Sequence, residues 1–135
     1  PDMAFFKFIM ANLSEQKIVL FGDGSQKRDF TFISDIVEAN IKTLENNVEG
    51  EILNVGGGSV RSINEVLDII SSETGKKNKI TFKNKEKGDV HKTEADVKEI
   101  EKKLNFKPKI LLEEGLPLEI EWLKKIKNEY QNILK

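Results

Sequence analysis

Cysteine is missing from this chain of 135 residues, which removes both a disulfide frame and a thiolate metal site. One histidine, His91, does not make a zinc centre without thiolate help. No apolar run approaches the ~20 residues that a bilayer-spanning helix needs, and no signal peptide opens the chain. An excess of one charge is missing too: 22 Lys and Arg face 23 Asp and Glu, a formal net charge of -1. Such balance gives no bulk attraction to nucleic acid or to a membrane surface, and interspersion of the charges is the pattern of a solvated surface. Neither G-x-x-G-x-x-G nor G-x-G-x-x-G opens a strand–helix unit, so no dinucleotide-binding fingerprint is present. Gly56-Gly57-Gly58 is rich in glycine, but its spacing is wrong and the next helix begins on the ordinary cap Ser62. What remains is a water-soluble protein, expected in the cytoplasm, whose 38% hydrophobic content suits one compact domain with a modest core.

The richest stretch is Lys17 to Asp35, KIVLFGDGSQKRDFTFISD. Apolar residues Ile18, Val19, Leu20 and Phe21 run into Gly22-Asp23-Gly24, where glycine tolerates φ > 0 at little steric cost. A second apolar–polar stretch follows, with Arg28 just ahead of Phe30 and Phe32. This reads as a hairpin: the turn returns the chain beside the first strand and brings Arg28 near its mouth. A guanidinium, planar and always charged, suits two oxygens of a phosphate or carboxylate. On residue chemistry alone, an ordinary surface arginine on a hairpin fits as well.

Strand and helix periodicities alternate along the rest of the chain. Met3 to about Glu15 predicts a helix with Phe5, Phe6, Phe8, Ile9 and Leu13 on a wide apolar face. So much aromatic surface on one short helix needs a partner, in the domain's own core or outside it. Ser34 or Asp35 is expected to cap a helix to about Leu44, with Val37, Ile41 and Leu44 on one face. Glu51 to Val55 predicts a short strand. Ser62-Ile63-Asn64-Glu65 fits a capping box, after which Ile63, Val66, Leu67 and Ile70 mark the clearest amphipathic helix. Gly75 stands where a left-handed C-cap belongs. Lys79 to Phe82 predicts a strand, Asn84 to Lys92 a loop, and Asp96 to Leu104 a helix. The last helix, from about Leu112 to beyond Tyr130, is expected to turn Leu116, Ile120, Trp122, Leu123, Ile126 and Tyr130 inward and to fray after Tyr130. Pro117 is awkward in it, so a start near Leu116 or a bend there is expected. Short strands with about five helices argue an α/β fold, one lobe rather than two.

The runs GDGSQKRDFTFISDIVEAN, ILNVGGGSVRSINEVLDII and KGDVHKTEADVKEIEKKLNFKPK resemble the C-terminal part of nucleotide-sugar epimerases and dehydratases. These belong to the extended short-chain dehydrogenase/reductase family, and the likeness is greatest to its UDP-glucose and UDP-glucuronate 4-epimerases. PDMAFFKF is similar to the segment after that family's Tyr-Gly-Pro stretch, so the resemblance covers almost the whole chain, with the motifs in the family's order. It implies that residues 1–135 are a nucleotide-sugar-binding C-terminal domain, a small α/β substrate-binding lobe. The Rossmann lobe that binds NAD and carries catalysis would lie upstream and is absent. The family's catalytic Tyr-x-x-x-Lys has no counterpart, because the only tyrosine, Tyr130, precedes Gln131, Asn132, Ile133 and Leu134. No catalytic, cofactor-binding or metal-binding residue is therefore expected here, and the chain alone should catalyse nothing.

The resemblance also implies roles for particular residues. Arg28 of Arg28-Asp29-Phe30 would grip a nucleotide diphosphate, with Asp29 orienting neighbouring backbone or Arg28. Val19 and Phe21 occupy the positions whose backbone groups read the base. An edge strand's unpaired N–H and C=O suffice for that, so both side chains can be plain core residues. Asp89 of Gly88-Asp89 would accept hydrogen bonds from ribose hydroxyls, which suits an ionised carboxylate. Many relatives carry an arginine three residues earlier, where this chain has Glu86. Either Lys87 or Lys85 supplies that charge, or Arg28 acts alone. His91 and Arg61 are further possible ligands, each equally explained as a surface or helix-end residue. Gly56 to Gly58 either let the backbone pass close to a cleft or form a flexible turn.

The implied function is the substrate-binding domain of an NAD-dependent UDP-hexose or UDP-hexuronate 4-epimerase, holding UDP while the absent domain transfers hydride at C4. The implied partners are the UDP-sugar, the chain's own N-terminal Rossmann domain and a second subunit in a full-length homodimer, with neither nucleic acid nor membrane. One alternative is the same lobe of a nucleotide-sugar dehydratase or decarboxylase. Another is a non-catalytic interaction module that uses Phe5, Phe6 and Phe8. An apolar seam left by a missing lobe is expected to make the isolated chain self-associate.

Overall fold

The computed structural model describes residues 3–46, 48–85 and 87–133, the last six as helical backbone. In chain order these residues form α1 (Ala4–Leu13), β1 (Lys17–Phe21), β2 (Lys27–Phe30), α2 (Ile33–Glu45), β3 (Ser59–Ser62), α3 (Ile63–Thr74), β4 (Lys79–Lys83), α4 (Lys98–Leu104) and α5 (Leu112–Ile133). The class is α/β with short strands, as expected. Within it the chain forms two compact units. Pro1–Gln26, Ser62–Asp89 and Leu116–Lys135 make the first, and Lys27–Arg61 with Val90–Gly115 the second. The chain crosses between them repeatedly, and no composition shift marks a crossing.

In the first unit β1 and β4 pair in parallel, with Ile18 opposite Ile80 and Phe21 opposite Lys83. The hairpin expected of β1 and β2 does not form, because β2 pairs with β3. Gly22 and Gly24 do turn the chain, at φ of 80° and 79°. The turn's polar groups are taken by the start of α3 instead of a returning strand: Asn64 donates its N–H to the Gly24 carbonyl (3.0 Å) and Nδ2 to the Asp23 carbonyl (3.1 Å).

Helix α3 begins on the expected capping box: Ser62 Oγ accepts from Glu65 N–H at 3.2 Å, and the Glu65 carboxylate accepts from Ser62 N–H at 2.8 Å. Gly75 ends it in the left-handed conformation, φ 67°. Ile63, Val66, Leu67 and Ile70 are buried, as are Ile9, Leu13, Ile18 and Leu20. Phe5, Phe6 and Phe8 of α1 are half-buried. Helix α1 has no basic residue in its last turn, and lysines from elsewhere serve its carbonyl end. Lys76 and Lys127 donate to the Leu13 carbonyl, both at 2.9 Å, and Lys79 to that of Glu15 at 3.0 Å. The Lys76 ammonium, followed by Lys79, holds the Glu15 carboxyl below its ordinary range.

Helix α5 turns Leu116, Ile120 and Leu123 inward, each at most 1% exposed. Trp122 was expected to join them but is 52% exposed, sharing with Leu118 a face four residues apart. Pro117 marks no new start: the helix begins at Leu112 and Pro117 falls in its second turn, where it offers Glu113 no N–H. The helix continues through Ile133, past the expected fraying point. The inward side chain expected of Tyr130 lies outside the described residues.

In the second unit α2 starts at Ile33 on Phe32, without a side-chain cap. Asp35, which with Ser34 was expected to cap it, lies in the first turn and is buried; its Oδ2 accepts the N–H groups of Lys109 and Ile110, both at 3.1 Å. Helix α2 buries Asp35 and Ala39, whereas Val37, Ile41 and Leu44 do share a face but leave it exposed. The unit's buried apolar cluster is Ala39, Ile100, Leu104 and Phe106, with Leu53 and Val55 packed against it. Residues 51–55 were expected as a strand and alternate like one: Leu53 and Val55 are half-buried, Ile52 and Asn54 exposed. They pair with no strand among the described residues, and the strand of this region is β3, a few residues later. Ser59 at the head of β3 accepts the Leu112 N–H (2.9 Å) and so caps α5 from a distance.

Candidate functional site

In the first unit, β1 alternates strictly. Ile18 and Leu20 are buried, while Val19 and Phe21 are 44% and 39% exposed, so the latter are not the plain core residues expected. The reason is the two-residue period: one face of β1 already fills the core with Ile18 and Leu20. Backbone polarity follows the same parity. Gly22 N–H donates to the Lys83 carbonyl (3.0 Å), so residues 18, 20 and 22 address β4. Val19 and Phe21 direct their N–H and C=O groups to the opposite edge, where no strand pairs among the described residues. The Phe21 carbonyl accepts Gln26 Nε2 at 2.9 Å.

Beyond the carboxyl ends of β1 and β4, Phe21, Lys83, Asn84 and Lys85 line an open pocket of about 520 Å³. Lys83 Nζ stands 5.8 Å from the centre of the Phe21 ring, within cation–π range. The pocket therefore combines an aromatic face with two ammonium groups. Lys87 is exposed, at the turn that Gly88 makes with φ of 92°, and Asp89 is half-buried. Glu86 lies outside the described residues.

In the second unit, Arg28 is half-buried on β2. Its Nη1 donates to the Lys27 carbonyl at 2.7 Å and to the Val90 carbonyl at 2.9 Å. The segment after Val90 lies along β2: Lys27 N–H donates to the His91 carbonyl (2.8 Å), and Thr93 N–H donates to the Lys27 carbonyl (3.2 Å). His91 thus contributes its carbonyl to the fold, and the residue is exposed. Asp29 orients backbone, as expected: its Oδ2 accepts from Gly57 N–H (2.8 Å) and Ala95 N–H (3.1 Å). Arg61 donates Nε to Glu113 Oε1 at 2.7 Å, and its Nη2 meets the same oxygen at 2.7 Å. That pair ties Arg61 to the first turn of α5.

The three glycines before β3 are not a loose turn. A Cβ at Gly56 would stand 2.7 Å from Ala95 Cβ, one at Gly57 3.3 Å from Val97, and one at Gly58 3.4 Å from Pro108. Their missing side chains let Ala95, Val97 and Pro108 pack close to the backbone. Among the described residues no group of three His, Cys, Asp or Glu side chains could hold a metal ion, and no helix is long and apolar enough to cross a membrane.

Val19, Phe21, Lys87 and Asp89 belong to the first unit, and Arg28, Arg61 and His91 to the second. Lys83 and Asn84 were not foreseen as pocket residues. Their only signal is the β1–β4 register, a pairing across some sixty residues that no local pattern announces.

The sequence profile of the family described as GDP-mannose 4,6 dehydratase matches residues 4–118. A UDP-glucuronate 4-epimerase of Thermodesulfobacterium geofontis is 43% identical over 125 residues, which are 92% of this chain and 38% of that protein. A UDP-N-acetyl-alpha-D-glucosaminuronate decarboxylase of Bacillus cytotoxicus is 36% identical over 129 residues, covering 91% of this chain and 40% of that protein. Among solved structures, the UDP-glucuronic acid 4-epimerase from Bacillus cereus, in complex with UDP-glucuronic acid and NAD, superposes with a TM-score of 0.88. Its sequence identity is 33%, and the match covers 93% of this chain and 41% of that one. The chain thus spans about two-fifths of the length of the relatives it matches.

Proposed function

Because this chain belongs to the epimerase/dehydratase family that the GDP-mannose 4,6 dehydratase profile describes, we propose that it is the substrate-binding, C-terminal domain of a UDP-sugar 4-epimerase. Its task is to hold the UDP part of the sugar nucleotide. NAD is the cofactor of the proposed whole enzyme, seated on a nucleotide-binding domain outside this chain, and so is the chemistry at C4. The domain alone is expected to turn nothing over.

The observation that carries this reading is the pocket at the carboxyl ends of the parallel strands β1 and β4, the end at which open α/β sheets receive ligands. Phe21 supplies an aromatic face for a base, Lys83 and Lys85 supply positive charge for phosphates, and the outward edge of β1 at Val19 and Phe21 supplies backbone groups for an imide. Lys85, which lines this pocket, fits the role of second phosphate ligand better than Lys87. Arg28 is the proposed diphosphate ligand, its guanidinium oriented by two carbonyls, and Asp89 the proposed acceptor for ribose hydroxyls. No acid–base pair is assigned, which suits a domain that grips the nucleotide and leaves the sugar free to turn.

The second unit supports the proposal that a further domain docks here. Ile33, Val37, Ile41 and Leu44 make a continuous exposed stripe on α2, and Ile52, in the 51–55 segment that pairs with no strand among the described residues, is 96% exposed. A strand-like segment without a neighbour and an apolar helix face without cover are what a separated sheet-containing domain leaves behind. A homodimer of the full-length enzyme is part of the same proposal.

Calorimetry with UDP on the full-length enzyme tests the reading. Arg28→Ala is expected to weaken binding by roughly 1.5–3 kcal/mol, the range of a lost charged hydrogen bond. Unchanged affinity would remove Arg28 from the site. Product analysis with UDP-glucuronate, UDP-glucose and their acetamido relatives then chooses the sugar. A decarboxylase among the similar proteins favours one second reading, a nucleotide-sugar decarboxylase, and release of carbon dioxide instead of inversion at C4 would select it.

A further inference from the structure

We infer that Asp29 is a positioning residue for Arg28, acting through a joint that its carboxylate makes with Gly57 and Ala95. The inference rests on the proposed role of Arg28 and adds a residue that does not touch ligand. Arg28 and Asp29 are neighbours on β2, so their side chains leave the strand on opposite faces. On its own face Asp29 holds backbone through one of its two oxygens. One oxygen accepts both the Gly57 and Ala95 N–H groups, at 2.8 and 3.1 Å. The other is buried and meets no donor among the described residues. Hydrogen bonds to an ionised acceptor are roughly twice as strong as neutral ones, so the joint is stiff.

The joint reaches Arg28 through the chain. Ala95 is pinned by Asp29, and His91 and Thr93 are pinned to Lys27, so the segment beginning at Val90 is held against β2 at several points. Its first carbonyl, that of Val90, is the one on which Arg28 Nη1 rests at 2.9 Å. Gly56 belongs to the same joint: a Cβ there would come within 2.7 Å of Ala95 Cβ and 3.2 Å of Asp29 Oδ2. Release of Ala95 by losing the carboxylate, or displacement of it by a methyl at position 56, should let the Val90 carbonyl drift and Arg28 with it.

The experiment is UDP calorimetry on the full-length enzyme with Asp29→Ala, Gly56→Ala, Arg28→Ala and the Asp29→Ala/Arg28→Ala double variant. Asp29→Ala and Gly56→Ala are each expected to weaken UDP binding about tenfold, and Asp29→Ala to add almost nothing once Arg28 is gone. Amide exchange at Gly57 and Ala95 is expected to quicken in Asp29→Ala. A full additional loss in the double variant would mean that Asp29 acts apart from Arg28 and would overturn the inference. So would wild-type affinity in Asp29→Ala, and that outcome leaves the functional reading standing. Failure of the unmodified enzyme to bind UDP would end the functional reading, and this inference with it. If Asp29→Ala does not fold, Gly56→Ala alone and combined with Arg28→Ala carries the same comparison, while Asp29→Asn, which keeps one oxygen for the two N–H groups, is expected to retain most of the affinity.

Discussion

Helix α3 of the first unit and helix α2 of the second carry apolar residues at similar helical spacing but use them differently. Ile63, Val66, Leu67 and Ile70 of α3 are at most 8% exposed, whereas Ile33, Val37, Ile41 and Leu44 of α2 are 49–80% exposed. In the first unit α1 packs against α3. The second buries α2 through Asp35 and Ala39 and leaves the larger side chains outward. Amphipathic periodicity therefore identifies a face that wants cover without saying whether the same chain supplies it. The first unit closes over its α3 stripe, and the second leaves its α2 stripe open.

That contrast can be broken or sharpened by substitution. The largest effect is expected in the closed core: Leu123→Ala, at a fully buried position, should cost about 2–5 kcal/mol in denaturant unfolding of the chain. A loss well under 1 kcal/mol would mean that the first unit is not the stable one. Next comes Gly24→Ala. With φ of 79° and Asn64 Oδ1 2.1 Å from the added methyl, it should cost about 1–3 kcal/mol and loosen the turn after β1.

On α2 the outcome should depend on the length of protein tested. Ile41→Ser with Leu44→Ser is expected to change the stability of this chain by less than about 0.5 kcal/mol, yet to lower that of the full-length protein by more than about 2 kcal/mol. Equal small effects in both would show that nothing docks on α2. The same pair of substitutions should reduce self-association of the isolated chain in sedimentation. The smallest effect concerns Glu119 of α5, whose carboxyl is raised above its ordinary range by burial. The folded state then holds its proton more tightly than the unfolded chain, so stability falls as pH rises above the usual carboxylate range. Glu119→Gln should raise the melting temperature slightly at neutral pH, and the gain should vanish in acid. A gain that persists at pH 3 would point to a cause other than charge burial.

Much of this was legible locally. The capping box at Ser62, the left-handed Gly75 and the α3 stripe are short-range features, written within a few residues and realised as written. Other expectations failed for reasons outside any local window. The hairpin after β1 gave way because β2 pairs with β3 and Asn64 took the turn. Glu51 to Val55 kept a strand's alternation but found no strand to pair with among the described residues. Trp122 pointed outward because Leu116, Ile120 and Leu123 already filled the buried side of α5. The pocket residues Lys83 and Asn84 became visible only through the β1–β4 register.

By itself the sequence determined which segments are helical, where α3 begins and ends, that no thiol is present, and which motifs mark the family. Those properties follow from side-chain volume, backbone torsion and hydrogen bonds that close within one or two turns. The tertiary structure alone decided which strands pair, that the chain divides into two units, that Val19 and Phe21 face outward, and that the α2 stripe lies open. Each of these depends on which distant segment wins a limited supply of backbone partners and buried surface, and that competition has no local signature.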